Sequence, residues 1–147
     1  MTYEFKTQRR VEFAETDMAG ILHFSNYFRY MEETEHAFFR SMGFRVHTAS
    51  ESGAWGWVRS KAACDFREPL RYEELVELHL LVREKRSKSI EYLFRFRKLE
   101  PSKVEVARGT MVVVCVSKFP DEGRFESMNI PPELDARIEA APPDLLT

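Results

Sequence analysis

The sequence predicts an α+β domain in which one long helix packs against an antiparallel sheet of about five strands. Two observations predict this class. Apolar and polar residues alternate over five segments, as they do in strands with one buried face. Between the first and second of these segments, apolar side chains recur at helical spacing. One helix between a first strand and four consecutive strands is typical of an α+β arrangement. The five strand segments are residues 3–13, 55–67, 75–83, 90–96 and 104–116.

The first predicted strand ends in a loop that leads into the helix. Residues 14–24 keep neither period and contain Gly20, which indicates a loop. Ser25 is the predicted N-cap of a helix from Asn26 to Met42, and Gly43 supplies its left-handed stop. Residues 44–54 are predicted to be a mobile connection. The predicted buried positions of the first strand and the helix are Tyr3, Phe5, Val11 and Phe13, then Tyr27, Met31, Phe38 and Met42.

The four later strands follow one another with short breaks that contain charged residues, Pro or Ser. Such breaks predict hairpin connections, so neighbouring strands should pair antiparallel. In each strand the even positions carry the apolar residues and are predicted to face the core. For the second and fifth strands these positions are Val58, Ala62, Cys64 and Phe66, then Val104, Val106, Val112, Val114 and Val116. The exposed edges of such a sheet predict pairing with a second copy of the chain.

The length and charge of the chain limit the classes of protein to which it can belong. The 147 residues predict one domain, with a core at about 3–118 and a C-terminal extension at about 119–147 that holds one weak helix near 132–140. Twenty-two basic and 24 acidic residues give a net charge of −2, which argues against a nucleic-acid binder. The sequence shows neither a signal peptide nor a run of about 20 apolar residues, so we expect a cytoplasmic protein without a membrane contact.

The loop around Asp17 is the first candidate site. Asp17 lies eight residues before Ser25, next to the predicted helix N-terminus, where free N–H groups and the positive end of the dipole collect. Such an end can stabilise an oxyanion, and a nearby carboxylate can attack a carbonyl or orient a water molecule. The alternative is that Asp17 only forms a local Asx turn.

Two further groups carry candidate binding residues. Lys85, Arg86 and Lys88 form a basic turn with Ser87 and Ser89, which suits phosphate groups unless it is a solvated hairpin tip. Trp57 is expected either in an acyl or aryl pocket or in the core. The sequence contains no metal-ligand pattern and no nucleotide motif, so we expect neither a metal nor a cofactor. The two cysteines, Cys64 and Cys115, are predicted core residues.

The segment 11–27 (VEFAETDMAGILHFSNY) resembles the signature of the 4-hydroxybenzoyl-CoA thioesterase family of hotdog-fold proteins. In that family a strand ends in an acid-rich turn, and an Asn-Tyr or Asn-Phe pair opens the central helix. The resemblance runs from about residue 5 to 118 and includes the basic turn. It implies a hotdog fold and an acyl-CoA thioesterase that acts on an aryl- or acyl-CoA, as a homodimer or homotetramer whose active sites are shared between subunits.

The resemblance also implies roles for individual residues. Asp17 is the implied catalytic carboxylate, and the backbone N–H of Phe24 polarises the thioester carbonyl. His23, Tyr27 and Trp57 are the expected substrate contacts, and Arg86, Lys88 and Ser89 the expected contacts to the coenzyme A phosphates. Attack by Asp17 itself and attack by a water molecule that it orients are both open. The alternative functions are an acyl-carrier-protein thioesterase, another hotdog enzyme such as a hydratase, and a non-catalytic acyl-CoA-binding module.

Overall fold

The computed structural model describes residues 1–50, 53–119 and 123–147. Within these ranges it contains five long strands, two short strands, one long helix and one short α-helix. In chain order the elements are β1 (Glu4–Arg10), α1 (Ser25–Ser41), β2 (Thr48–Ser50), β3 (Gly53–Phe66), β4 (Leu75–Lys85), β5 (Ser89–Lys98), β6 (Val104–Phe119), β7 (Arg124–Ser127) and α2 (Pro132–Asp135).

The strands form one antiparallel sheet in the order β1-β4-β5-β6-β3-β2, and β7 pairs with β6. The predicted α+β class and antiparallel sheet are confirmed, and the five long strands correspond to the five predicted segments. The prediction missed β2 and β7, because three or four residues are too few to produce a readable alternation. β2 lies within residues 44–54, which we predicted to be a mobile connection; Glu51 and Ser52 of that segment lie outside the described residues.

Helix α1 lies against one face of the sheet, called here the inner face. The predicted stripe of Tyr27, Met31, Phe38 and Met42 is buried, each at no more than 4% exposure. Phe38 packs against Phe5 and Tyr92, and Tyr27 packs against Phe66 and Phe96. The N-terminus of α1 therefore lies over the end of the sheet formed by Phe66 and Phe96, and its C-terminus lies over the opposite end.

The helix ends differ in how well they were predicted. Gly43 has a φ of +85° and terminates α1, as predicted, because a left-handed residue costs glycine little. At the other end, the prediction of Ser25 as the N-cap is wrong. Phe24 is the N-cap and has helical backbone angles, while the Ser25 N–H donates to Nδ1 of His23 at 3.3 Å. The imidazole of His23 thus takes the capping role that we assigned to the Ser25 hydroxyl.

In two strands, a register shift makes part of the strand present a different face from the predicted one. A register shift between Arg59 and Lys61 in β3 changes which residues point toward the helix, so Trp57 rather than Val58 is buried on the inner face. In β6 a shift occurs near the pairing of Phe96 with Ala107. Beyond it the inner face carries Met111, Val113 and Cys115, and the prediction that Val112 and Val114 are core positions is wrong. Val116 is buried, as predicted, at 4% exposure.

A second departure concerns the end of the first predicted strand. The strand stops at Arg10, and Phe13 lies in a short 3-10 helix with 69% of its surface exposed. The prediction that Phe13 is buried is therefore wrong. Its ring packs edge-on against Tyr72 at 5.8 Å instead.

The C-terminal segment packs back onto the sheet. Leu134 and Ile138 are fully buried in the main core, and Ala141 joins Leu81 and Leu93 in a second cluster on the outer face. Helix α2 covers four residues, much shorter than the predicted helix near 132–140, because the backbone of Arg137 and Glu139 bonds to Thr2 in a parallel bridge instead of continuing the helix. Within the described residues, no helix has the length and apolar character needed to cross a membrane.

A buried charged network lies on the outer face of the sheet, where His79 bridges two strands. Nε2 of His79 lies 2.6 Å from Oε2 of Glu4, and Nδ1 lies 3.0 Å from Nη1 of Arg97. Because arginine only donates, Nδ1 accepts and the proton of the neutral ring is on Nε2. Burial lowers the pKa of His79 below 6.5, and Arg97 and Lys6 act in the same direction against the bond to Glu4.

We expect His79 to make stability fall as the pH drops below 6.5. A lowered pKa means that the unfolded chain binds the proton first, so the contribution of His79 is present above pH 6.5 and is lost as the pH falls. The variant His79→Gln should therefore be less stable than the wild type by a larger margin at pH 7.5 than at pH 5.5. Urea unfolding at both pH values measures this difference; equal margins would contradict the assignment.

Candidate active site

Asp17 occupies a tight loop whose shape it helps to fix. Its backbone N–H donates to the Ile21 carbonyl, and its own carbonyl accepts from Gly20, both at 2.9 Å. Oδ1 of Asp17 accepts from the Ala19 N–H at 2.8 Å, which is the geometry of an Asx turn. Gly20 permits this loop with a φ of +78°. Oδ2 of Asp17 makes no hydrogen bond within the described part of the chain and is open to a ligand.

At the start of α1, the backbone N–H of Phe24 is left without a hydrogen-bond partner among the described residues. The N–H groups on either side of it are occupied: His23 donates to the Glu15 carbonyl, Ser25 to the His23 ring and Asn26 to the His23 carbonyl. The Phe24 N–H lies at the N-terminus of α1, where the helix dipole favours negative charge. A carbonyl oxygen there would meet both the donor and the dipole.

A cleft of about 460 Å³ joins the two groups. Its walls are mainly apolar and aromatic, and Asp17 and Phe24 both line it. Asp17 itself is exposed, so the cleft is open to solvent in the single chain. The lining residues are Asp17, Ile21, Leu22, Phe24, Tyr27, Phe66, Arg67, Glu68 and Pro69. The exposed fractions of Phe24 and Phe66, 62% and 50%, leave apolar surface at the mouth of the cleft.

Tyr27 and His23, two predicted substrate contacts, have different positions. Tyr27 lines the cleft but is 3% exposed, and burial raises the pKa of its hydroxyl to about 12. It therefore stays protonated at neutral pH. His23 is exposed and stacks on the ring of Phe24 at 4.7 Å, and its Nδ1 lies 2.8 Å from the Ser25 hydroxyl. His23 thus packs against Phe24, a residue of the cleft wall, and does not itself line the cleft.

Glu15 holds the Asp17 loop against the helix, and the sequence reasoning missed it. Its carbonyl accepts from the His23 N–H and from Nδ2 of Asn26, at 2.9 and 2.8 Å. Its carboxylate accepts from the Tyr30 hydroxyl at 2.6 Å and from Arg9 at 2.8 Å. These contacts tie β1, the loop and α1 together near the cleft. The only sequence signal was the Asn-Tyr pair at the start of the helix.

Trp57 lies in the core, away from the Asp17 cleft. It is 7% exposed and stacks on Phe39 at 5.8 Å, near the C-terminal half of α1. The structure does not bring it together with Asp17.

Cys64 and Cys115 lie on the inner face, and burial raises the pKa of the two thiols to about 12 and about 11. Both stay protonated at neutral pH, which makes them poor nucleophiles.

The basic turn connects β4 and β5, and only part of it is available to a ligand. Lys85 is held by the C-terminal segment: it pairs with Asp135 at 3.0 Å and donates to the Ile138 carbonyl. Arg86 pairs with Glu84 at 2.7 Å but is half exposed, and Lys88 is exposed without an ion pair among the described residues. Ser89 begins β5, and its carbonyl accepts from the Arg86 N–H.

Within one chain the basic turn and Asp17 lie at opposite ends of the sheet. Leu75, at the start of β4, pairs with Arg10, which leads into the Asp17 loop, whereas the basic turn follows Lys85. An 11-residue strand spans about 33 Å at 3.3 Å per residue. One chain therefore does not combine these two predicted parts of the site. No group of three or more potential metal-ligating side chains is found in residues 1–50, 53–119 and 123–147.

Comparison with known proteins gives one family and a consistent fold. The family described as "Thioesterase-like superfamily" matches residues 11–138. A relative from Aquifex aeolicus (strain VF5), named "Putative esterase", is 44% identical over 80 residues, which cover 54% of this chain and 62% of the relative. The matched region thus spans less than two thirds of that protein.

Three solved structures resemble the chain closely in shape. A hypothetical protein from Aquifex aeolicus is 32% identical with a TM-score of 0.78, covering 90% of this chain and 97% of its own. The gentisyl-coenzyme A thioesterase BH1999 is 26% identical with a TM-score of 0.76, covering 89% and 99%. The 4-hydroxybenzoyl CoA thioesterase from Pseudomonas sp. strain CBS-3 is 18% identical with a TM-score of 0.77, covering 91% and 99%, which shows a shared fold alone. These matches confirm the resemblance seen in the sequence.

Proposed function

The chain belongs to the thioesterase-like superfamily, and from this premise we propose that it hydrolyses an aryl- or acyl-CoA thioester to the free acid and coenzyme A. The observation that carries the proposal is the meeting of the open Asp17 carboxylate oxygen and the unpaired Phe24 N–H at one apolar cleft. One group can attack or activate, and the other can stabilise the oxyanion. The relative named as a gentisyl-coenzyme A thioesterase supports a coenzyme A ester as the substrate class.

The reaction needs two events at the thioester carbon. The carbonyl oxygen accepts a hydrogen bond from the Phe24 N–H, and the α1 dipole stabilises the negative charge that develops on it. Either Oδ2 of Asp17 adds to the carbon, or a water molecule held by Asp17 adds to it and transfers a proton to the Asp17 carboxylate. The C–S bond then breaks and coenzyme A leaves as a thiolate, which is protonated by solvent. In the covalent route, water subsequently hydrolyses the acyl-aspartyl anhydride.

The proposed reaction uses no metal and no cofactor, because coenzyme A arrives as part of the substrate. We propose that the enzyme works in the cytoplasm, where acyl-CoA substrates are soluble small molecules. The near-neutral charge and the absence of an extended basic surface in the sequence support a small-molecule substrate rather than nucleic acid.

We further propose that the working unit is a homodimer, alone or within a homotetramer, joined through β3. Beyond Trp55, β3 has no strand on its outer edge in the described part of the chain, so its N–H and C=O groups are available for pairing. Antiparallel pairing of two β3 strands about a two-fold axis would set Phe66 of one protomer near the start of β3 in its partner.

This pairing also explains the distance between Asp17 and the basic turn. Near the start of β3, Val58 pairs with Val114, and Val114 pairs with Ser89 at the edge of the basic turn. Two strand spacings, about 10 Å, therefore separate β3 from that turn. In the proposed dimer, the basic turn of one protomer lies at the Asp17 end of the other, where it can contact the phosphates of the bound substrate.

The proposal is tested by the release of free thiol from a panel of aryl- and fatty acyl-CoA esters. We expect turnover of at least one class of coenzyme A thioester, and matched acyl-carrier-protein thioesters test the alternative carrier. Tight binding of every ester without thiol release would instead indicate a binding module.

The basic turn gives a separate prediction. Replacing Arg86 and Lys88 together by alanine should raise KM about tenfold or more for a coenzyme A thioester, because each lost charge-assisted contact to phosphate is worth about 1.5–3 kcal/mol. KM for the corresponding pantetheine thioester, which lacks the nucleotide, should change little. The matched control is the exposed pair Lys103→Ala with Arg137→Ala. Equal increases for both substrates would refute contact with the phosphates.

A further inference from the structure

A second concave site lies at the C-terminal end of α1, remote from Asp17. This pocket has a volume of about 410 Å³ and is called here the basic pocket. Four of its five lining residues carry basic side chains, and the fifth is apolar. The lining residues are His36, Arg40, Arg45, Val46 and His47. No carboxylate of the described residues lines it.

Two chain segments bring these side chains together. His36 and Arg40 lie four residues apart, so they share one face of α1. Gly43 ends the helix, and the chain then turns so that Arg45 and His47 reach the same pocket. Helix α1 spans about 24 Å at 1.5 Å per residue, which separates this pocket from the Phe24 end.

The two arginines of the basic pocket are the groups available to a ligand. Neither Arg40 nor Arg45 has an ion pair among the described residues, and both belong to the exposed surface. Burial lowers the pKa of His36, and Arg59 and Arg40 lower it further, against the opposing effect of Glu32. The negative end of the α1 dipole stabilises the positive charge of Arg40, which lies in the last turn of the helix. It does not stabilise the charge of Arg45, which lies beyond the end of the helix.

We propose that the basic pocket binds a phosphate-bearing small molecule through Arg40 and Arg45. Guanidinium groups match phosphate oxygens in pairs of hydrogen bonds, and a bound anion relieves the repulsion between the basic side chains. The pocket has the volume of about a dozen water molecules. It is therefore large enough for a diphosphate and is not limited to a single small anion. The ligand is either the nucleotide part of coenzyme A or a separate phosphorylated effector.

Calorimetric titration of the full chain with pyrophosphate tests the site directly. We expect saturable binding at low ionic strength, weakened about tenfold or more in the double variant Arg40→Gln with Arg45→Gln, because charge-assisted bonds are lost. The charge-retaining variant Arg40→Lys with Arg45→Lys should keep part of the affinity. The control variant Arg10→Gln with Arg137→Gln removes the same charge elsewhere on the surface and should bind normally. No saturable binding by the wild type, or unchanged binding by the Arg40 and Arg45 variant, would overturn the proposal.

Two further measurements separate the ligand sources. If the ligand is coenzyme A, the Arg40→Gln and Arg45→Gln variant should raise KM for a coenzyme A thioester but not for a pantetheine thioester, and coenzyme A should compete with pyrophosphate. If the ligand is an effector, KM should not change and pyrophosphate should bind in the presence of saturating coenzyme A. The pyrophosphate titration needs no turnover, so a failure of the proposed hydrolase activity does not affect it.

A titration with sulfate gives an independent readout through His36. An anion between Arg40 and Arg45 offsets the positive field that disfavours the His36 imidazolium, so binding should raise the pKa of His36. Sulfate should therefore bind more tightly at pH 5.5 than at pH 7.5. This difference in affinity between the two pH values should be smaller in the variant His36→Gln. The groups that set this dependence are Glu32, Arg40 and Arg59, with Arg45 and His47 across the pocket.

Discussion

The variant Asp17→Asn is expected to lower kcat for coenzyme A thioesters by about 10²–10⁴-fold, the usual contribution of a catalytic carboxylate acting as base. The structure makes this substitution informative. Asparagine keeps a side-chain oxygen that can accept from the Ala19 N–H, so the Asx turn is preserved. The charge and the open second oxygen are lost. The expected loss therefore belongs to the chemistry and not to a collapsed loop.

Three comparisons make the Asp17→Asn result decisive. KM should change much less than kcat, because the cleft walls and the Phe24 N–H are untouched. Thermal unfolding of the variant should match that of the wild type. Asp17→Ala serves as the control that removes both the turn acceptor and the charge, and it should lose stability as well as activity. An unimpaired Asp17→Asn enzyme would exclude Asp17 as the catalytic group.

The largest expected effect on stability concerns Glu35 and Arg59 beneath α1. The Glu35 side chain is fully buried; Oε1 accepts from Nη2 of Arg59 at 2.6 Å, and Oε2 has no hydrogen-bond partner. The hydroxyl of Tyr92, buried in the same region, also lacks a partner. Burial raises the pKa of Glu35 from 4.5 to about 7, with Glu32 adding to the shift and Arg59 opposing it.

A raised carboxyl pKa makes the fold more stable at low pH. The unfolded chain releases this proton near pH 4.5 and the folded chain near pH 7, so stability falls between these values as the pH rises and then levels off. A shift of this size corresponds to about 3 kcal/mol across the window. Above pH 7, the Arg59 guanidinium is the group that neutralises the buried carboxylate.

Replacing Arg59 by glutamine should therefore cost about 3 kcal/mol at pH 8, because it leaves a buried carboxylate without its cation. At pH 5 the cost should be much smaller, since Glu35 is protonated in the folded variant. The double variant Arg59→Gln with Glu35→Gln should recover most of the loss at pH 8, because it removes the buried charge. Urea unfolding measures all three proteins, and an equal loss at pH 5 and pH 8 would contradict the role given to Glu35.

Hydrophobic periodicity correctly predicted the helix and strands that bury one continuous face. It failed where one extra residue in a strand reversed which side chains point toward the core. The stripe from Tyr27 to Met42 and the five long strands follow directly from spacing. The shift between Arg59 and Lys61 inserts a single residue, and an alternation count cannot detect it. In β6 both faces carry valines, so the sequence contained no contrast from which to choose the inner one.

The site was predicted as far as local sequence determines it. Asp17 and Phe24 lie within eight residues of each other, on a loop and a helix start that the sequence indicates. Glu15 and Arg59 could not be predicted, because their partners come from tertiary contacts. The basic pocket could not be predicted for the same reason. Its residues come from α1 and from the segment after Gly43, and only the direction of the chain after the helix brings these two parts together.

The Asx turn at Asp17 has a consequence for how the proposed site could be transferred to another protein. Because residues 17–21 bond to one another, the orientation of the carboxylate is encoded in a short, contiguous peptide. The Phe24 N–H is positioned differently, by the helix and by the Glu15 contacts that join β1, the loop and α1. A graft of the loop alone would thus carry the carboxylate without its hydrogen-bond donor. The smallest portable unit is the loop together with the first turn of α1 and the strand that holds Glu15 in place.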